Sequence, residues 1–89
     1  MPTFHLLIKG KVQGVFFRVS AKQIADKTGI TGWIRNTSEG DVEAVVTGRE
    51  EQLKQFISWC KKGPSRAKVT DVTAAQQEEG LFIDFSVRR

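Results

Sequence analysis

The sequence predicts an α+β fold in which two helices pack on one face of an antiparallel sheet. Three observations predict it: two segments carry apolar residues three and four positions apart, five segments have the alternation or composition of strands, and turns rich in glycine and polar residues separate them. A chain of 89 residues has room for one hydrophobic core. We therefore expect a single domain over residues 1–89.

The first strand and the first helix occupy the N-terminal third of the chain. Phe4, Leu6 and Ile8 stand at every second position, which is the period of a strand with one face on a core. Helical spacing is evident from about residue 20, with Arg18 near the helix start and Gly29 suited to its C-terminal cap. The predicted apolar face of this helix consists of Phe17, Ala21, Ile24, Ala25 and Thr28.

A hairpin and a second helix are expected next. Residues 32–48 contain two β-rich runs around the segment NTSEG, in which Gly40 suits the positive φ of a short turn. The helix is expected over about residues 49–62, where Gly63 and Pro64 end it. Its predicted apolar face consists of Leu53, Phe56, Ile57 and Cys60.

Two further strands are predicted at the C-terminus, AKVTDVTAA and LFIDFSVRR, with the polar segment QQEEG between them. The last strand is expected to place Leu81, Ile83, Phe85 and Val87 on one face. The element order is then β-α-β-β-α-β with an additional C-terminal strand. This order predicts a ferredoxin-like two-layer sandwich, an antiparallel sheet with both helices on one face.

The composition excludes several classes of protein. No apolar run approaches the roughly 20 residues of a membrane helix, and no secretory leader is evident, so we expect a cytoplasmic protein with no membrane partner. One cysteine and one histidine provide neither a disulfide framework nor a zinc site, so we expect no metal and no cofactor. The net charge of +4 favours anionic partners, but no long basic run indicates a nucleic-acid track.

The segment between the first strand and the first helix is the main candidate site. Gly14 permits a backbone conformation in which successive N–H groups converge on one side, and the helix N-terminus continues that array of donors. Arg18 is a cation near the positive end of the helix dipole, which repels it. An anion between Arg18 and the helix N-terminus would be attracted to both and would offset this repulsion. The glycines alone favour the simpler interpretation, an ordinary turn beside a solvated arginine.

Other polar and aromatic residues have a structural interpretation on residue type alone. Asn36 fits a turn position, although its amide could bind a water molecule. Cys60 fits a buried packing thiol, and His5 lies on the strand face opposite the apolar residues. Trp33 and Trp59 fit the edge of the core.

Two segments of the sequence carry a resemblance to the acylphosphatase family. IKGKVQGVFFR, residues 8–18, fits the family pattern Gly-x-Val-Gln-Gly-Val-x-Phe-Arg at each defined position, and GWIRNTSEGDVEAVVTG, residues 32–48, fits its second pattern. Ile34 is bulkier than the residue expected there. Residues 56–69 and the ending FSVRR are also similar to the family, so the resemblance covers nearly the whole chain.

The resemblance implies a ferredoxin-like enzyme that hydrolyses acyl phosphates to a carboxylate and inorganic phosphate without a metal. It implies that Arg18 binds the phosphoryl group together with the backbone amides of Gln13, Gly14, Val15, Phe16 and Phe17. It further implies that Asn36 positions the hydrolytic water. The expected partner is a small-molecule acyl phosphate, and the expected state is a monomer.

Two alternatives remain open at this point. One is a non-catalytic module that binds anions or nucleic acid, since ferredoxin-like sheets also bind RNA, although KGKVQGVFF does not supply the aromatic pattern of an RNA-recognition motif. The other is an acylphosphatase-like domain that acts on carbamoyl phosphate within a larger maturation enzyme. We expect a free-standing enzyme, because no zinc-binding or nucleotide-binding segment is evident in the sequence.

Overall fold

The computed structural model describes residues 1–88 and contains five strands and two helices. The elements follow the predicted order, and the first helix begins at Phe17, three residues before the helical spacing is evident in the sequence. Their bounds are β1 Thr3–Lys11, α1 Phe17–Thr28, β2 Thr31–Asn36, β3 Val42–Thr47, α2 Glu50–Lys62, β4 Lys68–Gln77 and β5 Phe85–Val87.

The strands form one mixed sheet in the order β4-β1-β3-β2-β5. The first four strands pair antiparallel, as the sequence predicts. The additional C-terminal strand β5 pairs parallel to β2, so the sheet is mixed at this edge. The ferredoxin-like two-layer fold itself is confirmed.

The core lies between the sheet and the two helices. The alternate residues predicted to face inward on β1 include Leu6 and Ile8, and both are completely buried. They pack in one cluster with residues from both helices, which places α1 and α2 on the same face of the sheet. The buried helical residues are Phe17, Ala21 and Ala25 of α1 and Leu53, Phe56 and Cys60 of α2. Both predicted helical faces are therefore confirmed in their main positions.

The predicted strand over LFIDFSVRR is wrong in its first half. Only Phe85–Val87 pairs as a strand, while Leu81 and Ile83 are 93% and 99% exposed. The prediction also extended to residue 89, which lies outside the described residues.

The sheet order explains this difference. Strands β4 and β5 lie at opposite edges, so residues 78–84 cross four inter-strand spacings, about 19 Å. Seven residues reach at most about 25 Å when fully extended, so little length remains for pairing. On the way, the Gly80 amide donates to the hydroxyl of the buried Thr3 (2.9 Å), and the Gly32 amide donates to the Asp84 carbonyl (2.9 Å).

Gly32 provides a test of how tightly β2 and β3 are paired. Its φ is +137°, and a Cβ added to it would lie 1.9 Å from the Val45 carbonyl oxygen. Gly40 has a φ of +91°, but a Cβ added there would meet no atom within 4 Å, so it is a matched control for backbone strain alone. We expect Gly40→Ala to cost about 1–2 kcal/mol of unfolding free energy. Gly32→Ala should cost a further ~1–3 kcal/mol for the clash, measured by urea denaturation.

Equal losses for the two variants would contradict the close contact between Gly32 and the β3 backbone.

Candidate functional site

The predicted site residues Arg18 and Asn36 line one cavity of about 250 Å³. The cavity lies where the loop between β1 and α1, residues 12–16 (the site loop), meets the end of β2. Its lining residues are Val12, Gly14, Phe16, Phe17, Arg18, Val19 and Asn36. Segments that are distant in the sequence therefore converge on one small concave surface.

The conformation of the site loop depends on two residues with positive φ. Gly14 has a φ of 72°, and Phe16, at the N-cap of α1, has φ 63° and ψ 25°, which is the left-handed conformation. Such a conformation is uncommon for a large side chain and unfavourable unless the surroundings fix it. The two residues turn the chain sharply from β1 into α1, as the glycine at position 14 predicts.

The N-terminus of α1 is left without a cap. No side chain of residues 1–88 hydrogen-bonds to it, and its first turn contains no acidic residue. The Ser20 amide donates to the Phe16 carbonyl (3.1 Å), whereas the amides before it have no intrahelical acceptor. Unpaired amides and the positive end of the helix dipole together favour an anion at this position.

Arg18 lies in the first turn of α1 and is partly exposed. Its Nη1 donates to the backbone carbonyl of Arg88, just after β5, at 2.9 Å. Within residues 1–88 it forms no salt bridge with a carboxylate, so its charge is not neutralised by the described part of the protein. One guanidinium nitrogen is thus anchored, and the remaining donors are available to a ligand.

Asn36 is the last residue of β2 and pairs with Val42 of β3. Its Oδ1 is buried and has no hydrogen-bond partner among the described residues. An unsatisfied buried carbonyl costs about 1–3 kcal/mol, so this oxygen is expected to have a partner that the described residues do not supply.

The side chain of Gln13 connects the site loop to the hairpin that carries Asn36. Its Nε2 donates to the carbonyls of Thr37 and Asp41, both at 2.8 Å. The Thr37 amide also donates to the Asp41 carbonyl (2.9 Å), which closes the turn between β2 and β3. The sequence pattern predicted a role only for the backbone amide of Gln13 and missed this bridge, because partners 24 and 28 residues away leave no local signal.

The remaining candidates lie outside the cavity. His5 is on the helix-free face of the sheet, as predicted, and its Nε2 lies 2.6 Å from Oε2 of Glu43, whose other oxygen accepts from Arg35 (2.6 Å). The His5 hydrogen bond, together with Arg35, holds the pKa of the Glu43 carboxyl below its usual value of 4.5. Cys60 is completely buried, and this burial raises the pKa of its thiol.

Of the two tryptophans predicted at the edge of the core, Trp59 packs against the core cluster, whereas Trp33 lies outside it. The ring centroid of Trp59 lies 5.2 Å from that of Phe17 in the core. Trp33, on the helix-free face, is flanked by the guanidinium groups of Arg35 and Arg88 at 5.7 Å and 4.7 Å from its ring centroid. Neither tryptophan contributes to the cavity lining.

Two other kinds of site are absent from residues 1–88. No group of three or more His, Cys, Asp or Glu side chains is arranged to hold a metal ion. In the same residues, no helix has the length and hydropathy needed to cross a membrane.

Comparison with known proteins gives a consistent result over almost the whole chain. The sequence model of the acylphosphatase family matches residues 4–87. An acylphosphatase from Pyrobaculum arsenaticum is 46% identical over 89 residues, covering 98% of this chain and 94% of the relative. An acylphosphatase from Marinobacter nauticus is 49% identical over 86 residues, covering 92% and 90% of the two chains.

Solved structures agree with the sequence comparison. The crystal structure of acylphosphatase from Bacillus subtilis is similar with a TM-score of 0.96 at 32% identity, over 100% of both chains. The structure of full-length HypF in its phosphate- and nucleotide-bound form is similar with a TM-score of 0.89 at 29% identity, but over only 12% of that chain. The same fold thus occurs both as a free-standing enzyme and as part of a much larger protein.

The Gln13 side chain provides a test of how the cavity is assembled. We expect Gln13→Ala to cost about 1–3 kcal/mol of unfolding free energy, because two hydrogen bonds, to the Thr37 and Asp41 carbonyls, are lost. Hydrogen exchange should also accelerate at residues 36–41, which the side chain holds to the site loop. The measurements are urea denaturation and amide exchange by NMR.

Gln23→Ala is the matched control, since Gln23 is exposed on α1 and should tolerate the change. Faster exchange spread evenly over the chain would show that Gln13 has no local role at the hairpin.

Proposed function

The chain belongs to the acylphosphatase family and is an acylphosphatase, and from this premise we propose a metal-independent mechanism built on Arg18, the site-loop amides and Asn36. The observation that carries the proposal is the convergence of Arg18 and Asn36 on one cavity at the uncapped start of α1. Acyl phosphates are hydrolysed to a carboxylate and inorganic phosphate.

Arg18 and the backbone amides of residues 13–17 bind the phosphoryl group in this mechanism. The uncapped helix start, the absence of acidic residues in its first turn and the lack of a carboxylate partner for Arg18 among residues 1–88 support this assignment. A guanidinium group can donate two parallel hydrogen bonds to phosphate oxygens, and its anchoring at the Arg88 carbonyl reduces the entropy lost on binding. The guanidinium group and the backbone amides stabilise the charge on the equatorial oxygens of the transition state.

Asn36 positions the attacking water. Its Oδ1, which has no hydrogen-bond partner among residues 1–88, supports this role, because a bound water would supply a donor. A neutral amide orients water but does not remove its proton at neutral pH. The contribution of Asn36 is therefore geometric, in-line placement of the nucleophile.

The substrate itself explains how so few groups are sufficient. The water oxygen bonds to phosphorus, the P–O bond to the acyl group breaks, and the carboxylate leaves with the electron pair. Carboxylic acids titrate near pH 4, so the leaving group needs no acid catalyst at neutral pH. Among the described residues, no Asp, Glu or His lines the cavity, so we assign the water proton to a phosphate oxygen of the substrate.

We further propose that the enzyme acts as a single-domain cytoplasmic monomer. One hydrophobic cluster joins both helices to the sheet, which supports the single domain. The proposal involves no cofactor and no nucleic acid.

Arg18 is the first residue to test. We expect Arg18→Ala to lower kcat/KM for benzoyl phosphate by about 10³–10⁵, by analogy with other arginines that stabilise a transferring phosphoryl group. Arg18→Lys should not restore activity, because a point charge cannot reproduce the bidentate fork. The measurement is loss of benzoyl phosphate absorbance with a chelator present, at matched circular dichroism.

Arg49→Ala controls for the loss of an exposed arginine, since Arg49 lies at the N-cap of α2, beyond the far end of β3. Full activity of Arg18→Ala would refute the phosphate-binding role, and activity that requires a metal would refute the metal-independent mechanism. A well-folded but inert parent protein would direct the search to phosphorylated ligands and RNA.

Asn36 is expected to show a different signature. Asn36→Ala should lower kcat by about 10²–10³, with a smaller effect on the inhibition constant of inorganic phosphate. The unfolding free energy of this variant, measured in urea, should equal or exceed that of the unaltered protein. The substitution removes a buried oxygen that has no partner among residues 1–88. Ser38→Ala, on the exposed turn of the same hairpin, is the control.

Equal losses of kcat and phosphate affinity would show that Asn36 binds the phosphoryl group and does not position water.

A further inference from the structure

Two exposed apolar side chains lie on the rim of the phosphate cavity. Phe16 is 69% exposed and Val19 is 55% exposed, yet both line the same cavity as Arg18 and Asn36. Isolated exposed apolar residues need no explanation, but two together beside a polar site indicate contact with a ligand that has an apolar part. The mechanism described above assigns neither side chain a role.

The backbone holds these side chains outward. Phe16 and Phe17 are consecutive, but Phe17 is 1% exposed in the core, whereas the left-handed conformation of Phe16 directs its ring away from the core. Val19 follows three residues later on the first turn of α1, and both side chains line the same cavity. The two side chains thus form one apolar wall, which we call the rim wall.

The rim wall lies where the acyl leaving group is expected. In an in-line displacement the attacking water and the leaving group lie on opposite sides of phosphorus. Asn36 lies at the end of β2, whereas the rim wall lies at the N-cap and in the first turn of α1. With water at Asn36, the acyl group is directed toward the α1 side of the rim.

We propose that Phe16 and Val19 bind the hydrocarbon part of the acyl group, so that the enzyme prefers acyl phosphates with longer aliphatic or aromatic acyl groups over acetyl phosphate. This inference rests on the proposed function of the cavity. The phosphoryl group determines that a substrate binds, and the rim wall determines which acyl group reacts faster. Selectivity is graded, because the wall contacts one side of the acyl chain and leaves the other in water.

The size of the effect follows from hydrocarbon burial. Complete transfer of one methylene from water corresponds to about fourfold in a rate or binding constant, so partial burial gives roughly twofold to fourfold per methylene. Linear acyl phosphates are the suitable probes, because their carboxylate leaving groups have similar pKa values and differ mainly in chain length. A rise of kcat/KM with chain length then reports contact with the wall.

The experiment measures kcat/KM for acetyl, butyryl and hexanoyl phosphate. We expect a roughly twofold to fourfold rise per methylene from acetyl to butyryl phosphate in the unaltered protein. Phe16→Gly and Val19→Ser should each flatten this dependence by at least about half, and Phe16→Leu should retain most of it. Glycine accepts the left-handed backbone at position 16 and keeps the amide, so the ring alone is tested.

Leu81→Ser is the matched control, since Leu81 is an exposed apolar residue in the connection between β4 and β5 and does not line the cavity. The control should show the same chain-length dependence as the unaltered protein. The inference is overturned if the unaltered protein shows no dependence, or if the rim variants show the same dependence as the control. In either case hydrolysis of acetyl phosphate would still support the proposed function, whereas an inert protein would refute both.

Discussion

The register of the three central strands is the constraint on which the site depends. Ile8 of β1 pairs with Val42 of β3, and Val42 pairs with Asn36 of β2. These two pairings place Ile8 two strand spacings, or about 10 Å, from Asn36. The site loop follows β1, so it begins near the same end of the sheet as Asn36. A one-residue slip would transfer Asn36 to the helix-free face, and it would expose the apolar set that includes Leu6 and Ile8. Core burial and placement of the proposed water-binding amide are thus enforced by the same pairing.

Several features of the cavity are unfavourable for the folded protein taken alone. The N-terminus of α1 is uncapped, Arg18 lies at its positive end, Phe16 is left-handed, and the Oδ1 of Asn36 is buried without a partner among the described residues. Each costs from about 0.3 to about 3 kcal/mol, which together is a substantial part of a typical domain stability of about 5–15 kcal/mol. The core and the Gln13 bridge offset these costs. Local features that lower the stability of the folded protein in this way are typical of ligand-binding sites.

Local patterns predicted most of the fold, and non-local contacts account for the differences. Helical and strand periods identified both helices and the first four strands, since each depends on residues close in sequence. The exposure of Leu81 and Ile83 depends instead on the width of the sheet that their segment crosses. For the cavity, the motif resemblance named Arg18 and Asn36, whereas the Gln13 bridge and the outward direction of Phe16 depend on partners and backbone angles that no spacing encodes.

The hydrogen bond from Arg18 to the Arg88 carbonyl has a consequence for the order in which the molecule is assembled. The two residues are 70 positions apart, so the guanidinium gains this anchor only after β5 has docked beside β2. The position of Arg18 is therefore fixed only once β5 has paired with β2, so the anchor of this guanidinium depends on a long-range step of folding.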